Sequence, residues 1–173
     1  HQTVLDERKI TAQVIELLSE VNDRKLYLKK GFGSLLEFCV KELKYSESSA
    51  YRRISAMRLS NDLPEVKAKI VEGTLSLSVI SQVQTFIRQE EKELGQKLNI
   101  QAKEDLLKEL ENKSSRETEK ILIEKSPNQE RPEKLRSITS GKSELKLTFS
   151  SSTLEKLEKI KSLISHKNPN PSY

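Results

Sequence analysis

The segment YSESSAYRRISAMRL, residues 45–59, combines small side chains with three arginines, Arg52, Arg53 and Arg58. It holds no acidic residue after Glu47. A guanidinium group presents a rigid fork of N–H donors that matches phosphate oxygens or the edge of a guanine base. Serine and alanine side chains let the backbone of a helix come close to another surface. These residue types indicate binding of an anionic ligand, and duplex DNA is the first candidate.

A helical wheel of residues 47–59 separates two faces of this segment. Ala50, Ile54 and Met57 fall together and are expected to face a core. The opposite face is small and cationic, with Ser48, Ser49, Arg52, Ser55 and Ala56. Arg53 and Arg58 flank the apolar face on its two edges. The predicted DNA-binding residues are therefore Ser48, Ser49, Arg52, Arg53, Ser55 and Arg58.

A short helix and a tight turn come before the arginines. Ser34 and Glu37 form a capping box ahead of an apolar run, which predicts a helix over 34–43. The turn KYS follows, and Ser46 is the expected cap of the next helix. Two helices joined by so short a turn are typical of a helix-turn-helix, whose second helix enters the major groove. We predict this motif over 34–59; the alternative is that the arginines are ordinary surface charge.

The fold class predicted from periodicity is mainly α. Helical spacing of apolar residues is found over residues 4–21, 34–43, 47–59, 64–73, 76–87, 101–111 and 114–125. The charge-rich stretch at 90–120 lacks a persistent heptad, so it predicts a solvated helical pair rather than a coiled coil. The helical domain is expected to span residues 1–125.

The last third of the chain has a different pattern. Residues 126–142 are polar, contain two prolines and a glycine, and show no period, which predicts a linker. ELKLTF then alternates between polar and apolar residues and predicts a strand. Ser152 and Glu155 form a second capping box ahead of a helix of period 3.6. A strand–helix segment is therefore predicted over 143–173.

The strand ELKLTF could pair within its own domain or with a second chain. Pairing between two chains is typical of a ribbon-helix-helix, whose strands present outward side chains to the major groove. Lys146 and Thr148 would then be secondary DNA contacts, and the protein would be a homodimer. The weak signal of one short strand favours pairing within the domain.

The composition of the chain excludes several classes of site. The 173 residues carry a formal net charge of +5, which permits an anionic partner without requiring one. Cys39 is the only cysteine, so no internal disulfide or thiolate zinc site is expected, and its place on an apolar helix face predicts a core position. His1 and His166 are the only histidines, so no catalytic residue, metal ligand or cofactor is predicted in this chain.

Targeting and membrane signals are also missing from the sequence. No apolar run is long enough to cross a bilayer, and the first residues lack the apolar core of a signal peptide, so a cytoplasmic location is expected. The chain begins with His1 rather than methionine. We therefore expect a processed product or a fragment of a longer protein.

Two protein families resemble this sequence. Residues 48–80, SSAYRRISAMRLSNDLPEVKAKIVEGTLSLSVI, resemble the helix-turn-helix region of ParB-type partition proteins. A longer resemblance, to the N-terminal region of bacterial HNH endonucleases of a deltaproteobacterial type, covers nearly the whole chain. It rests on residues 14–83, on NKSSRETEKILIEKSP at 112–127 and on the segment from ELKLTF to the last residue, in the same order.

The resemblance to HNH endonucleases implies a DNA-binding region rather than a nuclease. In that family a catalytic HNH module follows these segments, and it needs a histidine base, further histidines or asparagines and a divalent metal. His1 and His166 cannot supply such a site, so the enzymatic activity of the parent stays open and a metal is expected only in a missing module. The alternatives are a stand-alone ParB-like or regulatory DNA-binding protein, and a protein-interaction scaffold that uses the charged helices between 90 and 125.

Overall fold

The computed structural model describes residues 2–126, 134–139 and 141–164 of the chain. The chain divides into a helical unit, residues 1–127, and a C-terminal unit, residues 128–173. The mainly α fold is confirmed, because the described residues form nine helices and one two-stranded sheet. His1 and His166 lie outside the described residues. No described helix has both the length and the apolar character that crossing a bilayer requires.

The helical unit contains eight helices among its described residues. They are α1 Gln2–Asp23, α2 Leu26–Lys29, α3 Leu35–Lys41, α4 Glu47–Asp62, α5 Glu65–Glu72, α6 Leu77–Leu94, α7 Ile100–Leu110 and α8 Ser115–Lys125. Serine hydroxyl groups cap three of these helices: those of Ser34, Ser46 and Ser76 accept hydrogen bonds from backbone N–H groups in the first turns of α3, α4 and α6. The caps at Ser34 and Ser46 are as predicted. Gly73 ends α5 with φ near 84°, a left-handed conformation that favours glycine. Local residue choice therefore determines where these helices start and stop.

Helix α4 lies at the centre of the helical unit. It packs against α1, α3, α5 and α6, most extensively against α6. Seven of its residues are buried: Ala50, Ile54, Ser55, Ala56, Met57, Leu59 and Ser60. Since residues on several faces of one helix are buried, most of its C-terminal half belongs to the core.

The C-terminal unit is a β-hairpin followed by a helix. Strand β1, Lys134–Thr139, pairs antiparallel with β2, Lys142–Lys146, and α9 spans Ser151–Ile164. In the register of the hairpin, Leu135 lies opposite Leu145 and Arg136 opposite Glu144. The described partner of β2 thus comes from the same chain, as the weak signal of one short strand favoured.

Three features of the C-terminal unit differ from the sequence prediction. The strand predicted over ELKLTF, residues 144–149, is observed as Lys142–Lys146. Strand β1 lies inside the stretch predicted to be a linker, because its own pattern is weak and its extended form depends on hydrogen bonds to β2. Helix α9 is capped by Ser150, whose hydroxyl accepts a hydrogen bond from the Thr153 N–H, and not by Ser152. Neighbouring serines offer equivalent caps, so the sequence could not distinguish them.

Candidate nucleic-acid interface

The segment predicted to be a helix-turn-helix consists of α3, a five-residue connection at 42–46, and α4. Lys44 in this connection has a left-handed backbone, with φ near 59°. The Tyr45 N–H donates to the Cys39 carbonyl at 3.1 Å, and the two helices pack against each other. Cys39 itself is fully buried, as predicted, and burial raises the pKa of its thiol despite the nearby positive charge of Arg53. The short connection thus places the first turn of α4 beside the end of α3.

Arg52 is a half-buried side chain that reaches from α4 to α6. Its Nη1 donates a hydrogen bond to the Ser78 hydroxyl at 3.2 Å. Tyr51, the preceding residue, has its hydroxyl 3.3 Å from the Thr85 hydroxyl, also on α6. Both contacts show that α6 lies along this side of α4. The guanidinium group of Arg52 is oriented by a neutral partner and keeps donors for a further ligand.

Arg53 is held against the connection that precedes α4. Its guanidinium carbon lies 4.4 Å from the centroid of the Tyr45 ring, in a cation–π contact. Its Nη1 donates to the Ser49 carbonyl at 3.3 Å and also contacts the Ser49 hydroxyl. The buried Nε has no hydrogen-bond partner among the described residues. Arg53 is therefore fixed in orientation by an aromatic ring and by neutral acceptors.

The arginines of α4 are not neutralised by carboxylates. Within the described ranges, Arg24 and several lysines form ion pairs, and none of these pairs involves Arg52, Arg53 or Arg58. The nearest acidic residues of the preceding segment are themselves paired. Hydrogen bonds from Lys41 and Lys30 lower the pKa of Glu37 and Glu42, respectively. No described carboxylate therefore neutralises the charge of Arg52 or Arg53.

Ser55, one of the predicted DNA-binding residues, is buried and does not lie on an exposed face of α4. Its exposed fraction is 2%, and that of Ala56 is 0%. These residues follow Tyr51 and Arg52 by one helical turn, on the side of α4 that packs against α6. The small side chains allow two helices of the same protein to come close, and not the approach of a nucleic acid.

The remaining predicted residues form two separate groups on α4. Ser48 is exposed, and Ser49, Arg52 and Arg53 are half-buried at the N-terminal end of the helix. We call these four residues the α4 entry surface. Arg58 is exposed but lies six residues after Arg52, which is about 9 Å along the helix axis. The buried Ser55 and Ala56 lie between the two groups, so the predicted cationic face of α4 is not continuous.

Sequence reasoning missed several residues beside the α4 entry surface. A shallow groove between α3 and α4 is lined by Leu36, Glu47, Ser48, Tyr51 and Arg52. Glu47 brings one exposed carboxylate to this groove, although an acid in the first turn also favours the positive end of the helix. Only the long-range contact of the Tyr51 hydroxyl with Thr85 shows which neighbouring helix Tyr51 touches. No signal in the local sequence could have shown that contact.

Lys146 and Thr148, the predicted secondary contacts, belong to the C-terminal unit. Both are exposed, Lys146 in β2 and Thr148 just after it.

Comparison with known proteins adds no relative: no family model, no curated protein and no solved structure matches this chain. The described residues also contain no group of three or more histidine, cysteine or acidic side chains that could hold a metal ion.

Proposed function

We propose that this chain binds duplex DNA through the α4 entry surface, as the DNA-binding region of an HNH-type endonuclease. The observation that carries the proposal is a pair of adjacent arginines without carboxylate partners, at the accessible end of a helix that follows a short helix and a tight connection. If these elements act as the predicted helix-turn-helix, the start of the second helix contacts DNA.

The end of α4 contributes to anion binding through its backbone as well. The first N–H groups of a helix lack intrahelical partners, and the helix dipole makes this end positive. Ser46 accepts a hydrogen bond from the Ser49 N–H, which leaves other N–H groups of the first turn for a ligand. Phosphate oxygens could therefore be bound by Arg52, Arg53 and the start of the helix together.

The distribution of charge indicates that the two units contribute differently. Residues 1–127 hold 22 Lys and Arg against 21 Asp and Glu, whereas residues 128–173 hold 9 against 5. The helical unit is thus nearly neutral, and its affinity must come from the local arrangement of a few cations. The excess of positive charge in the C-terminal unit would add long-range attraction to DNA, with Lys146 and Thr148 as secondary contacts.

A parent endonuclease is favoured over a stand-alone ParB-like regulator because the HNH-type resemblance extends over nearly the whole chain. The scaffold alternative is less favoured, because Lys103 and Lys125 of the charged helices form ion pairs within the helical unit. The gene sequence beyond codon 173 tests the nuclease part of the proposal. An HNH block there would support it, and a stop codon would favour the regulator.

The combined substitution Arg52→Ala with Arg53→Ala is expected to weaken DNA binding by about 30-fold, since each half-exposed charge-assisted contact contributes about 1 kcal/mol. The slope of log affinity against log salt concentration should become shallower by about 1.8, because two phosphate contacts are lost. Fluorescence anisotropy with a labelled duplex, repeated at several salt concentrations, measures both quantities.

Arg116→Ala with Lys120→Ala removes the same charge from the exposed surface of α8 and is the matched control. Its affinity should change far less, because those residues lie away from the α4 entry surface. Arg52→Ala alone separates binding from folding, since Arg53 also packs on Tyr45. Equal affinities and equal salt slopes for the wild-type chain and the Arg52/Arg53 variant would contradict the proposal.

Glu47→Gln should have the opposite effect and tighten DNA binding by about fivefold. A carboxylate near a phosphate costs about 1 kcal/mol at a separation of 4 Å in water, and the amide removes this repulsion. The same anisotropy titration measures the change, with Glu93→Gln near the end of α6 as the control. If Glu47→Gln and Glu93→Gln gave the same affinity, DNA would not approach the start of α4.

A further inference from the structure

The C-terminal unit leaves its large apolar side chains in solvent. None of the described residues of β2 or α9 is buried. Eight large apolar side chains of the unit are between 46% and 72% exposed: Leu135, Ile138, Leu145, Phe149, Leu154, Ile160, Leu163 and Ile164. A two-stranded hairpin is marginal in water, and units of this size usually need a partner to complete a core. The exposed apolar side chains therefore indicate that a partner covers this unit.

We infer that a second copy of this chain covers it, by pairing β2 of one chain with β2 of the other. The described sheet has the order β1–β2, so one edge of β2 carries backbone groups that no described strand pairs with. Such an edge is a template for the addition of another strand. Two identical edges can join around a two-fold axis, which makes a four-stranded antiparallel sheet from two hairpins.

Charge and apolar pairing together favour one register for β2. With the two-fold axis at Ser143, Glu144 would lie opposite Lys142 of the other chain, but Leu145 would fall opposite Gly141. With the two-fold axis at Leu145, Glu144 of each chain lies opposite Lys146 of the other, which gives two cross-strand pairs of opposite charge. Placing the axis at Glu144 would instead bring two glutamates together and Lys142 opposite Lys146. Strand β1 contains basic residues but no acidic residue, so none of its registers with itself forms an ion pair.

The same register joins the apolar faces of the two hairpins. Leu145 lies at the axis, opposite Leu145 of the other chain. Within each chain, Leu135 of β1 lies opposite Leu145. The two α9 helices then have a continuous apolar sheet on which to pack their exposed leucines and isoleucines. Each side chain of this kind can bury roughly 60–120 Å² of apolar surface, at about 25 cal/mol per Å². Eight of them together supply the roughly 800 Å² that each chain contributes to a standard interface.

Sedimentation equilibrium of the full chain tests the inference, which does not depend on DNA binding. The wild-type chain is expected to reach twice its mass of 19.8 kDa at micromolar concentration. Glu144→Lys and Lys146→Glu should each weaken the dimer by about 30-fold, since both symmetry-related pairs change from attraction to repulsion. Lys120→Glu on α8 is the control of equal charge change and should leave the dimer intact.

Mixing the Glu144→Lys and Lys146→Glu chains is the decisive measurement. The heterodimer has opposite charges at both positions, so the mixture should dimerise nearly as well as the wild type. A folding defect in either variant could not be repaired by mixing, so restoration supports the proposed register. A monomeric wild-type chain, a dimer insensitive to both substitutions, or a mixture that stays monomeric would each overturn the inference.

Discussion

Ala56→Arg is expected to unfold the helical unit, whereas Ser48→Arg should leave it folded. Ala56 is completely buried at the place where α4 packs on α6. An arginine there must either displace α6 or hold an unpaired charge in the core. Overpacking and an unpaired buried charge together cost more than about 4 kcal/mol, which approaches the total stability of an ordinary domain. Urea denaturation followed by circular dichroism measures the loss.

Ser48→Arg is the matched control, because the helical wheel placed Ser48 and Ala56 on the same face. Ser48 is exposed at the start of α4, so its substitution should change the free energy of unfolding by no more than about 0.5 kcal/mol. The added charge should also tighten DNA binding in the anisotropy titration. A folded Ala56→Arg protein with increased DNA affinity would mean that the predicted cationic face of α4 is exposed along its whole length. That result would contradict the observed packing of α6 on α4.

Several helix ends of this protein could be predicted because they depend on local chemistry, although α2 was not predicted and α6 continues to Leu94, beyond the predicted end at residue 87. Ser46 accepts a hydrogen bond from an N–H group three residues later, whatever the rest of the fold does. Gly73 stops α5 because the next turn requires a left-handed backbone. Signals of this kind involve residues a few positions apart, so the sequence alone contains them.

The burial of Ser55 could not be predicted because it depends on a helix more than twenty residues away. A wheel with one clear apolar face predicts one buried side, but α4 is enclosed by several helices. Small residues on the other side are compatible with contact to DNA and with contact to α6, and only the fold decides between them. The same reasoning applies to β1, whose extended form depends on its pairing with β2.

Lys103 is a second residue whose burial depends on distant parts of the chain. The charged stretch at 90–120 predicts a solvated surface, yet the Lys103 side chain is only 5% exposed. Its Nζ lies 2.7 Å from Asp62 Oδ2 on α4 and 3.0 Å from Glu91 Oε1 on α6. The ammonium group thus connects α7 to the two helices that form the centre of the unit. Lys103 is therefore a structural residue and is not available to a ligand.

Lys103→Met is expected to lower the free energy of unfolding by about 1.5 kcal/mol, because it removes the buried partner of two carboxylates that are themselves partly exposed. Methionine keeps most of the volume of the lysine stem, so the loss reports the charge rather than a cavity. Lys108→Met on the same helix is the control, since Lys108 is exposed and lies 3.9 Å from its partner Asp105. Urea denaturation at neutral pH should show a change within about 0.5 kcal/mol for Lys108→Met.

The difference in the free energy of unfolding between the wild type and Lys103→Met should change with pH only at the alkaline end. Burial, the largest single influence, lowers the pKa of Lys103, but the hydrogen bonds and charges of Asp62 and Glu91 together outweigh it and raise the pKa above 10.5. A raised pKa in the folded state stabilises the protein below the pKa of the unfolded lysine, and this contribution is lost as pH rises through the folded value. The stability advantage of the wild type over Lys103→Met should therefore become smaller as pH rises above 10.5. A difference that stayed constant across this range would mean that Lys103 stabilises the unit through its aliphatic stem and not through its charge.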